Sequence, residues 1–182
     1  MNMILTLHDR VFHGLSRVLD GWFLPLVARF TFAAVLLNYF WNSAVTKLGD
    51  GIFGFLSPSL NGYIQVFPAK TEALGYDISG FSWFDWLVVT AGTIGEFVLP
   101  LLIVIGLLTR IAALGMIVFV IVQSYVDVTG HGVGGADLGA WFDGPSGALI
   151  MDQRLLWMTL FITLIVKGGG AISLDGLLSK RM

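Results

Sequence analysis

The chain has no cysteine among its 182 residues. This absence excludes disulfides, thiolate metal sites, iron–sulfur clusters and Cys-x-x-Cys redox chemistry carried by this chain itself. Charged residues are also scarce, at 12% of the chain, whereas a typical soluble domain has about 25%. Because 56% of the residues are hydrophobic, too few polar side chains are left to cover a water-facing surface. We therefore expect an integral membrane protein.

Net charge and chain length narrow the class of protein further. The formal net charge is −2, and no run of basic residues indicates a nucleic-acid partner. The length suits one compact domain with a few membrane spans. We therefore expect membrane lipids, and not nucleic acid, as the surroundings of this chain.

Four apolar stretches are long enough, or nearly long enough, for the roughly 20 residues that a membrane crossing needs. They cover about 24–46, 84–107, 109–127 and 150–168. The short connection between the second and third stretches requires antiparallel helices, and Thr109 is expected to cap the third helix. The pattern predicts an all-α polytopic membrane protein, an antiparallel four-helix transmembrane bundle over 24–178, with a short tail at 179–182.

The N-terminal segment, 1–23, has a different pattern. Val11, Leu15, Val18 and Trp22 recur at helical spacing, and polar residues fill the other side. This pattern predicts an amphipathic helix that lies in the membrane interface. Packing of the same helix on a partner subunit is the alternative.

The cations are distributed unevenly between the two ends of the predicted bundle. Seven fall at the end where the spans begin and finish: Arg10, Arg17, Arg29, Arg110, Lys167, Lys180 and Arg181. The opposite end has only Lys47, Lys70 and Arg154. By the positive-inside rule, both termini are predicted to be cytoplasmic.

Glu96 lies near the middle of the second predicted span. A charge at this depth costs about 2.5–3.5 kcal/mol even on lenient insertion scales, so an acid there usually has a partner or a task. Pro100 has no N–H, so it cannot donate to the Glu96 carbonyl in the ordinary helical pattern. Two interpretations stay open: a functional acid, or a structural acid paired with a cation on a neighbouring helix.

Other polar residues fall at helical spacing within the spans. Thr31, Asn38 and Asn42 are expected to share an inward face of the first span, and Gln123 and Asp127 a face of the third. Hydrogen bonds between helices, worth about 1 kcal/mol or less each, would explain these residues without a ligand. A polar cavity that includes Glu96 and opens outward is the other interpretation.

Tyr125, Asp127 and His131 form a cluster near the outer end of the third span, where a His beside carboxylates could move protons. One His with scattered acids is a weak indication of a metal, so no metal site is predicted. Trp41 adjoins the polar residues of the first span, whereas the other tryptophans fit an interfacial belt. Arg29 is expected to set the orientation of the chain in the membrane. For Arg110 three roles stay open: membrane orientation, contact with Glu96 and contact with a lipid phosphate.

The stretch EFVLPLLIVIGLLTRIAA, 96–113, resembles the DoxX family of small four-span bacterial membrane proteins. The resemblance includes Arg29, the Thr46-Lys47-Leu48 segment and the closing GGGAISLD at 168–175. The chain departs from the pattern at Ala171, where a basic residue is expected, and in the long glycine-rich loop at 128–147. These departures weaken the transfer of a specific substrate.

The resemblance implies a bacterial inner-membrane subunit associated with a redox complex at the quinone pool. In that case Glu96, the candidate catalytic residue, would exchange a proton with a bound quinone. The candidate ligand-binding residues are Asn38, Trp41, Gln123, Tyr125, Asp127, His131 and Arg110. Asn38 or Gln123 would donate to a quinone carbonyl, Trp41 would stack on the ring, and Asp127 and His131 would pass protons outward.

Other functions also stay open. The chain shows no haem-ligand pair or flavin motif, so a redox partner subunit is expected, and a homo-oligomer is left open. A non-catalytic carrier of a small solute is one alternative function, and a scaffold for partner proteins is the other.

Overall fold

The computed structural model describes residues 2–180, and every regular element in that range is helical. Four helices are long: α1 (Asn2–Leu19), α2 (Phe23–Lys47), α5 (Trp83–Ile105) and α6 (Thr109–Thr129). The others are α3 (Leu60–Val66), α4 (Pro68–Ala73), α7 (Gly135–Leu138), α8 (Met151–Lys167) and α9 (Leu174–Ser179), with a 3₁₀ turn at Ile78–Gly80. The predicted tail is described only as far as Lys180, so Arg181 lies outside the described residues.

Three helices, α2, α5 and α6, are long and apolar enough to cross a membrane. They coincide with the first three predicted spans, so the chain is a helical membrane protein. Helix α8 coincides with the fourth predicted span, but its 17 residues are fewer than the roughly 20 that a crossing needs. A crossing by α8 stays a prediction.

The three candidate spans and α8 pack side by side. Helix α2 contacts α5 and α8, and α6 contacts the same two helices from the other side. Phe32, Phe40 and Phe161 are fully buried at the centre, with the rings of Phe32 and Phe40 stacked at 6.4 Å between centroids. Burial of large apolar side chains holds these helices together.

A π-helical turn interrupts α2 at Ala33–Leu37 and changes which of its residues face inward. The buried residues follow a spacing of four through the turn: Ala28, Phe32, Leu36, Phe40 and Ala44. An ideal α-helix turns once in 3.6 residues, so such a spacing drifts around the helix unless a wider turn compensates. The sequence prediction of an inward polar face was wrong, because the apolar row of α2 faces inward and Thr31, Asn38 and Asn42 are all exposed.

Arg29 joins α2 to the end of α5. Its buried guanidinium donates to the carbonyl oxygens of Ile103, Val104, Gly169 and Ile172 at 2.5–3.2 Å. The last carbonyls of any α-helix have no partner within the helix. Here Arg29 donates to the Val104 carbonyl and is a second donor to the Ile103 carbonyl, which also accepts from the Gly106 amide. Arg29 thus has a specific structural role beyond orientation.

Asp175 joins α9 to the start of α6. Its carboxylate accepts bonds from the Leu108 amide (2.8 Å), the Thr109 amide (2.9 Å) and the Thr109 hydroxyl (2.7 Å). Thr109 is therefore the first helical residue and not the cap that the sequence predicted. The turn before it needs Gly106, at φ 69°, because a Cβ there would lie 2.5 Å from the Cβ of Ser173.

Helix α1 makes few contacts with the rest of the chain. The apolar residues Val11, Leu15 and Val18 are each at least half exposed, at 50–67%. The segment after α1 is held by the bond from the Ala171 amide to the Gly21 carbonyl, at 3.0 Å. The exposed apolar side chains fit an interfacial helix, but that location stays a prediction.

The cap formed by Asp175 predicts a pH-dependent loss of stability in an Asp175→Asn variant. Burial alone would raise the pKa of Asp175, but the hydrogen bonds from Thr109 and Leu108, together with the charge of Arg29, bring it below its ordinary value. A lowered folded pKa stabilises the protein above the unfolded pKa of about 3.9, and this contribution is lost as the pH falls through the folded value. Thermal unfolding in detergent at pH 7 should therefore show a loss of about 1–3 kcal/mol, because the amide replaces one acceptor oxygen by a donor and leaves a hydrogen-bonding group at the start of α6 without its partner.

The difference between the Asp175→Asn variant and wild type should shrink as the pH falls below about 4, because both then lack a carboxylate at this position. Asp50→Asn, which removes an exposed acid, is the control and should have little effect at either pH. An equal loss at pH 7 and pH 3 would contradict the capping role.

Candidate functional site

A buried ion pair joins the end of α2 to the middle of α5. Lys47 Nζ lies 2.7 Å from Glu96 Oε2 and 2.9 Å from Oε1. Both side chains are almost completely enclosed, with 7% of Lys47 and 3% of Glu96 exposed. The cation that the sequence left open as a structural partner of Glu96 is therefore Lys47.

Ser43 completes the arrangement because it lies one helical turn before Lys47. Its hydroxyl donates to Glu96 Oε1 at 3.1 Å and accepts from Lys47 Nζ at 2.7 Å. Residues four apart share a helical face, so α2 presents the hydroxyl and the ammonium group to the same carboxylate. The charges are thus both paired and hydrogen-bonded, which is what burial of an ion pair requires.

The ion pair forms part of the wall of a cavity of about 320 Å³ next to α5 and α6. Three glycines widen the space, Gly92 and Gly95 on α5 and Gly115 on α6. Most of the wall is apolar, with Phe119 as its aromatic residue. The polar lining residues are Ser43, Lys47, Gln65, Glu96, Gln123 and Asp127. The cavity can therefore surround an apolar body and offer hydrogen bonds to its polar groups.

A second ion pair lies at the C-terminal end of α6. Arg154 Nη2 donates to the Asp127 carboxylate, and Nη1 donates to the Ser124 hydroxyl at 2.8 Å. The Arg154 side chain is buried, whereas Asp127 is one-quarter exposed. Asp127 also lines the Glu96 cavity, so this second pair forms part of the same wall.

Gln123 connects the cavity wall to α2. Its Nε2 donates to the Tyr39 hydroxyl at 2.7 Å, while its buried Oε1 has no hydrogen-bond partner. A buried polar atom without a partner costs about 1–3 kcal/mol. This amide oxygen is therefore an unused acceptor on a residue of the cavity wall.

The structure brings together three of the predicted site residues: Glu96, Gln123 and Asp127 all line the one cavity. Trp41 lies outside it, where its indole N–H donates to the Phe97 carbonyl at 3.2 Å. Its ring packs at the contact between α2 and α5, with 6.5 Å to the Phe97 centroid. Trp41 therefore supports the helix contact and does not form the cavity wall.

The other predicted site residues also lie outside the cavity. Asn38 is exposed because it lies two residues from both Leu36 and Phe40, on the side of α2 that faces away from the core, and Tyr125 is 68% exposed on α6. His131 Nε2 donates to the Gln65 carbonyl at 3.1 Å, next to the cavity but not in its wall. Arg110 is at the opposite end of α6, where it donates to the Val166 carbonyl at 3.3 Å.

The site also includes Ser43, Lys47 and Arg154, which the sequence did not predict to be part of it. One signal for the first two was available, because Ser43 and Lys47 are four residues apart at the end of an apolar helix. The pairing itself spans 49 residues and follows no local pattern. Within residues 2–180, no group of three or more His, Asp and Glu side chains could hold a metal ion.

Comparison with protein families gives a match of the DoxX family model to residues 24–128. The matched range contains Lys47, Glu96, Gln123 and Asp127. Comparison with curated proteins and with solved structures gave no match.

The Lys47–Glu96 pair predicts a strongly non-additive double-mutant cycle. Lys47→Met or Glu96→Gln alone leaves a buried group without its partner, which typically costs about 3–5 kcal/mol. The double variant removes both charges and should lose much less than the sum of the two single losses. Denaturant or thermal unfolding in detergent measures the three losses.

Lys70→Met is the matched control, because Lys70 is 43% exposed in its pair with Asp85. Asp85 is only 9% exposed, but it keeps its hydrogen bonds from the Ser82 amide and hydroxyl in this variant, so the loss should be smaller than at the enclosed Lys47. Additive losses at Lys47 and Glu96, or a Lys47→Met loss no larger than that of Lys70→Met, would show that the buried pair has no special energetic role.

Proposed function

Because this chain belongs to the DoxX family, we propose that it is an integral membrane subunit that binds a small lipid-soluble molecule in the Glu96 cavity. The molecule we favour is a quinone or quinol head group. The subunit would then act within a redox complex of the bacterial inner membrane. Glu96 is the proposed proton-exchanging residue.

The observation that carries this proposal is the position of the ion pair at a cavity wall. A pair that served packing alone would be surrounded by close-packed side chains, since protein interiors have few voids larger than a water molecule. Here the pair borders a space of about 320 Å³. A binding pocket commonly has this composition, a mostly apolar wall with a few convergent polar groups.

The polar groups match the chemistry of a quinone head group. The Lys47 ammonium group can donate to a quinone carbonyl, whereas the Glu96 carboxylate and Gln123 Oε1 can accept from a quinol hydroxyl. Phe119 supplies an aromatic surface for the ring, the role that the sequence analysis gave to Trp41. An apolar ligand tail would lie along the glycine and valine residues of the wall.

A redox role requires a partner subunit. The chain has no cysteine, and its sequence shows no haem-ligand pair or flavin motif. The proposed electron donor or acceptor is therefore on another chain, and this subunit contributes the quinone site and the proton.

The proposed topology has α8 crossing the membrane together with α2, α5 and α6, so that both termini are cytoplasmic. The packing of α8 against α2 and α6 supports the crossing, although α8 is short. Residues 148–150 precede α8 and could extend the buried stretch, since Ala148 and Ile150 are only 7% exposed. The excess of cations at the end formed by Arg29, Arg110 and Lys167 supports the orientation.

The test is mass spectrometry of the small molecules that co-purify with the protein from native membranes in mild detergent. Wild type should carry a quinone in a stoichiometric amount, and Glu96→Gln should carry at least tenfold less. Glu72→Gln is the matched control, because Glu72 is an exposed acid on α4 and outside the cavity. It should retain the quinone.

A second variant separates binding from folding, because Glu96→Gln also disturbs the ion pair. A Cβ at Gly92 would have no heavy atom within 4 Å, so Gly92→Leu can fill the cavity without an immediate clash. This variant should fold and lose the quinone. Quinone retention in Gly92→Leu, or its absence from wild type, would contradict the proposal.

The two alternative functions predict different outcomes. A carrier should contain a solute other than quinone that Gly92→Leu displaces. A scaffold should contain no molecule, and Glu96→Gln should then change only stability, because the fully hydrogen-bonded pair would serve the fold alone. Either outcome would replace the quinone proposal.

A further inference from the structure

The cation-rich end of the chain contains a second cavity, of about 590 Å³, at the far end of α6 from Asp127. It lies between the start of α6, the glycine run after α8, and α9. The lining residues are Leu108, Thr109, Arg110, Ile111, 167–171, Asp175, Gly176, Ser179 and Lys180. We infer that this cavity binds the phosphate of an anionic glycerophospholipid, an inference that does not depend on the proposed quinone site.

The charge balance of the lining favours an anion. Three cations line the cavity, Arg110, Lys167 and Lys180, with Asp175 as the single acid. Asp175 already accepts three hydrogen bonds from Leu108 and Thr109. Because one carboxylate cannot balance three cations, an anion that enters this cavity would meet a net positive charge.

Two of the three cations have no acidic partner within residues 2–180. Lys167 pairs with Asp20 at 2.6 Å, whereas neither Arg110 nor Lys180 forms an ion pair in this range. Arg110 uses one N–H in its bond to the Val166 carbonyl and has further N–H groups available. A guanidinium and an ammonium group together are a common binding pair for phosphate.

The glycine run keeps the floor of the cavity open beside Arg110. Gly168 has φ 71°, and a Cβ there would lie 3.3 Å from Arg110 Nε. Any larger residue would therefore be strained and would crowd the guanidinium. The backbone thus leaves room at the cation that a phosphate would contact.

The position of the cavity selects a lipid over a soluble phosphate. Arg110 is the second residue of the membrane-spanning helix α6, so the cavity lies where that helix ends. Leu108 and Ile111 also line it and are 53% and 66% exposed, so apolar chains could lie against them. Basic pockets between helices at the membrane surface bind anionic head groups in this way.

The test uses native mass spectrometry and thermal unfolding of protein that has been delipidated in detergent. Added phosphatidylglycerol should bind and raise the unfolding temperature more than added phosphatidylcholine does. An Arg110→Gln/Lys180→Gln double variant should retain at least tenfold less phosphatidylglycerol. Lys70→Gln, which removes a cation at the opposite end, is the matched control and should bind like wild type.

Several outcomes would overturn the inference. These are equal binding of the two lipids, unchanged phosphatidylglycerol retention in the double variant, and an equal loss in Lys70→Gln. Inorganic phosphate is also added to the protein in the presence of phosphatidylcholine. If it stabilises the protein as much as phosphatidylglycerol does, the site binds a free anion and the lipid assignment is wrong. If the double variant does not fold, Lys180→Gln alone gives the comparison, because Lys180 follows α9 and is exposed.

Discussion

The cost of burying an unpaired charge is the constraint on which this structure depends. Arg29, Lys47 and Arg154 are all less than one-tenth exposed, and each has partners on a different segment of the chain. Lys47 ties α2 to α5 through Glu96, Arg154 ties α8 to α6 through Asp127, and Arg29 ties α2 to the end of α5 and to the segment after α8. Because removal of any partner would leave a costly buried group, these three cations fix the relative positions of all four packed helices.

The helices themselves could be predicted from the sequence, because an apolar run of the right length has few other structures available in a membrane. The ends of α2, α5, α6 and α8 lie within two residues of the predicted limits. A tight connection was also predicted at 107–110, and the structure has it at 106–108, but the hydrogen bonds that hold it were not predicted. The acceptor that caps α6 is Asp175, which is distant in sequence and becomes a neighbour only once the chain has folded.

The candidate site was predictable only in part, for two physical reasons. A residue face inferred from spacing has no fixed direction until the packing of the helix is known, and α2 packs with Phe32, Leu36 and Phe40 inward, which leaves Asn38 exposed on the other side. Glu96, Gln123 and Asp127 lie on regular helices, and the packing of those helices places all three at the cavity. Lys47 was missed because a cation at the end of a span is explained equally well by membrane orientation, and only the folded structure shows that its partner is Glu96.

The residues that carry the family resemblance divide between two ends with different physical roles. Arg29, the turn before Arg110 and the closing 168–175 segment meet in one hydrogen-bond network, which fixes the helix ends and leaves little freedom for other side chains. The cavity at Glu96 is bordered by the Lys47–Glu96 pair, which the motifs include, and by glycine and apolar residues, many of which they do not. The motifs therefore specify the helix ends and the buried pair, whereas Gln123 and Phe119, which would contact a molecule in the proposed site, lie outside them. Membership of the family can thus fix the fold of this chain without fixing the function proposed for the cavity.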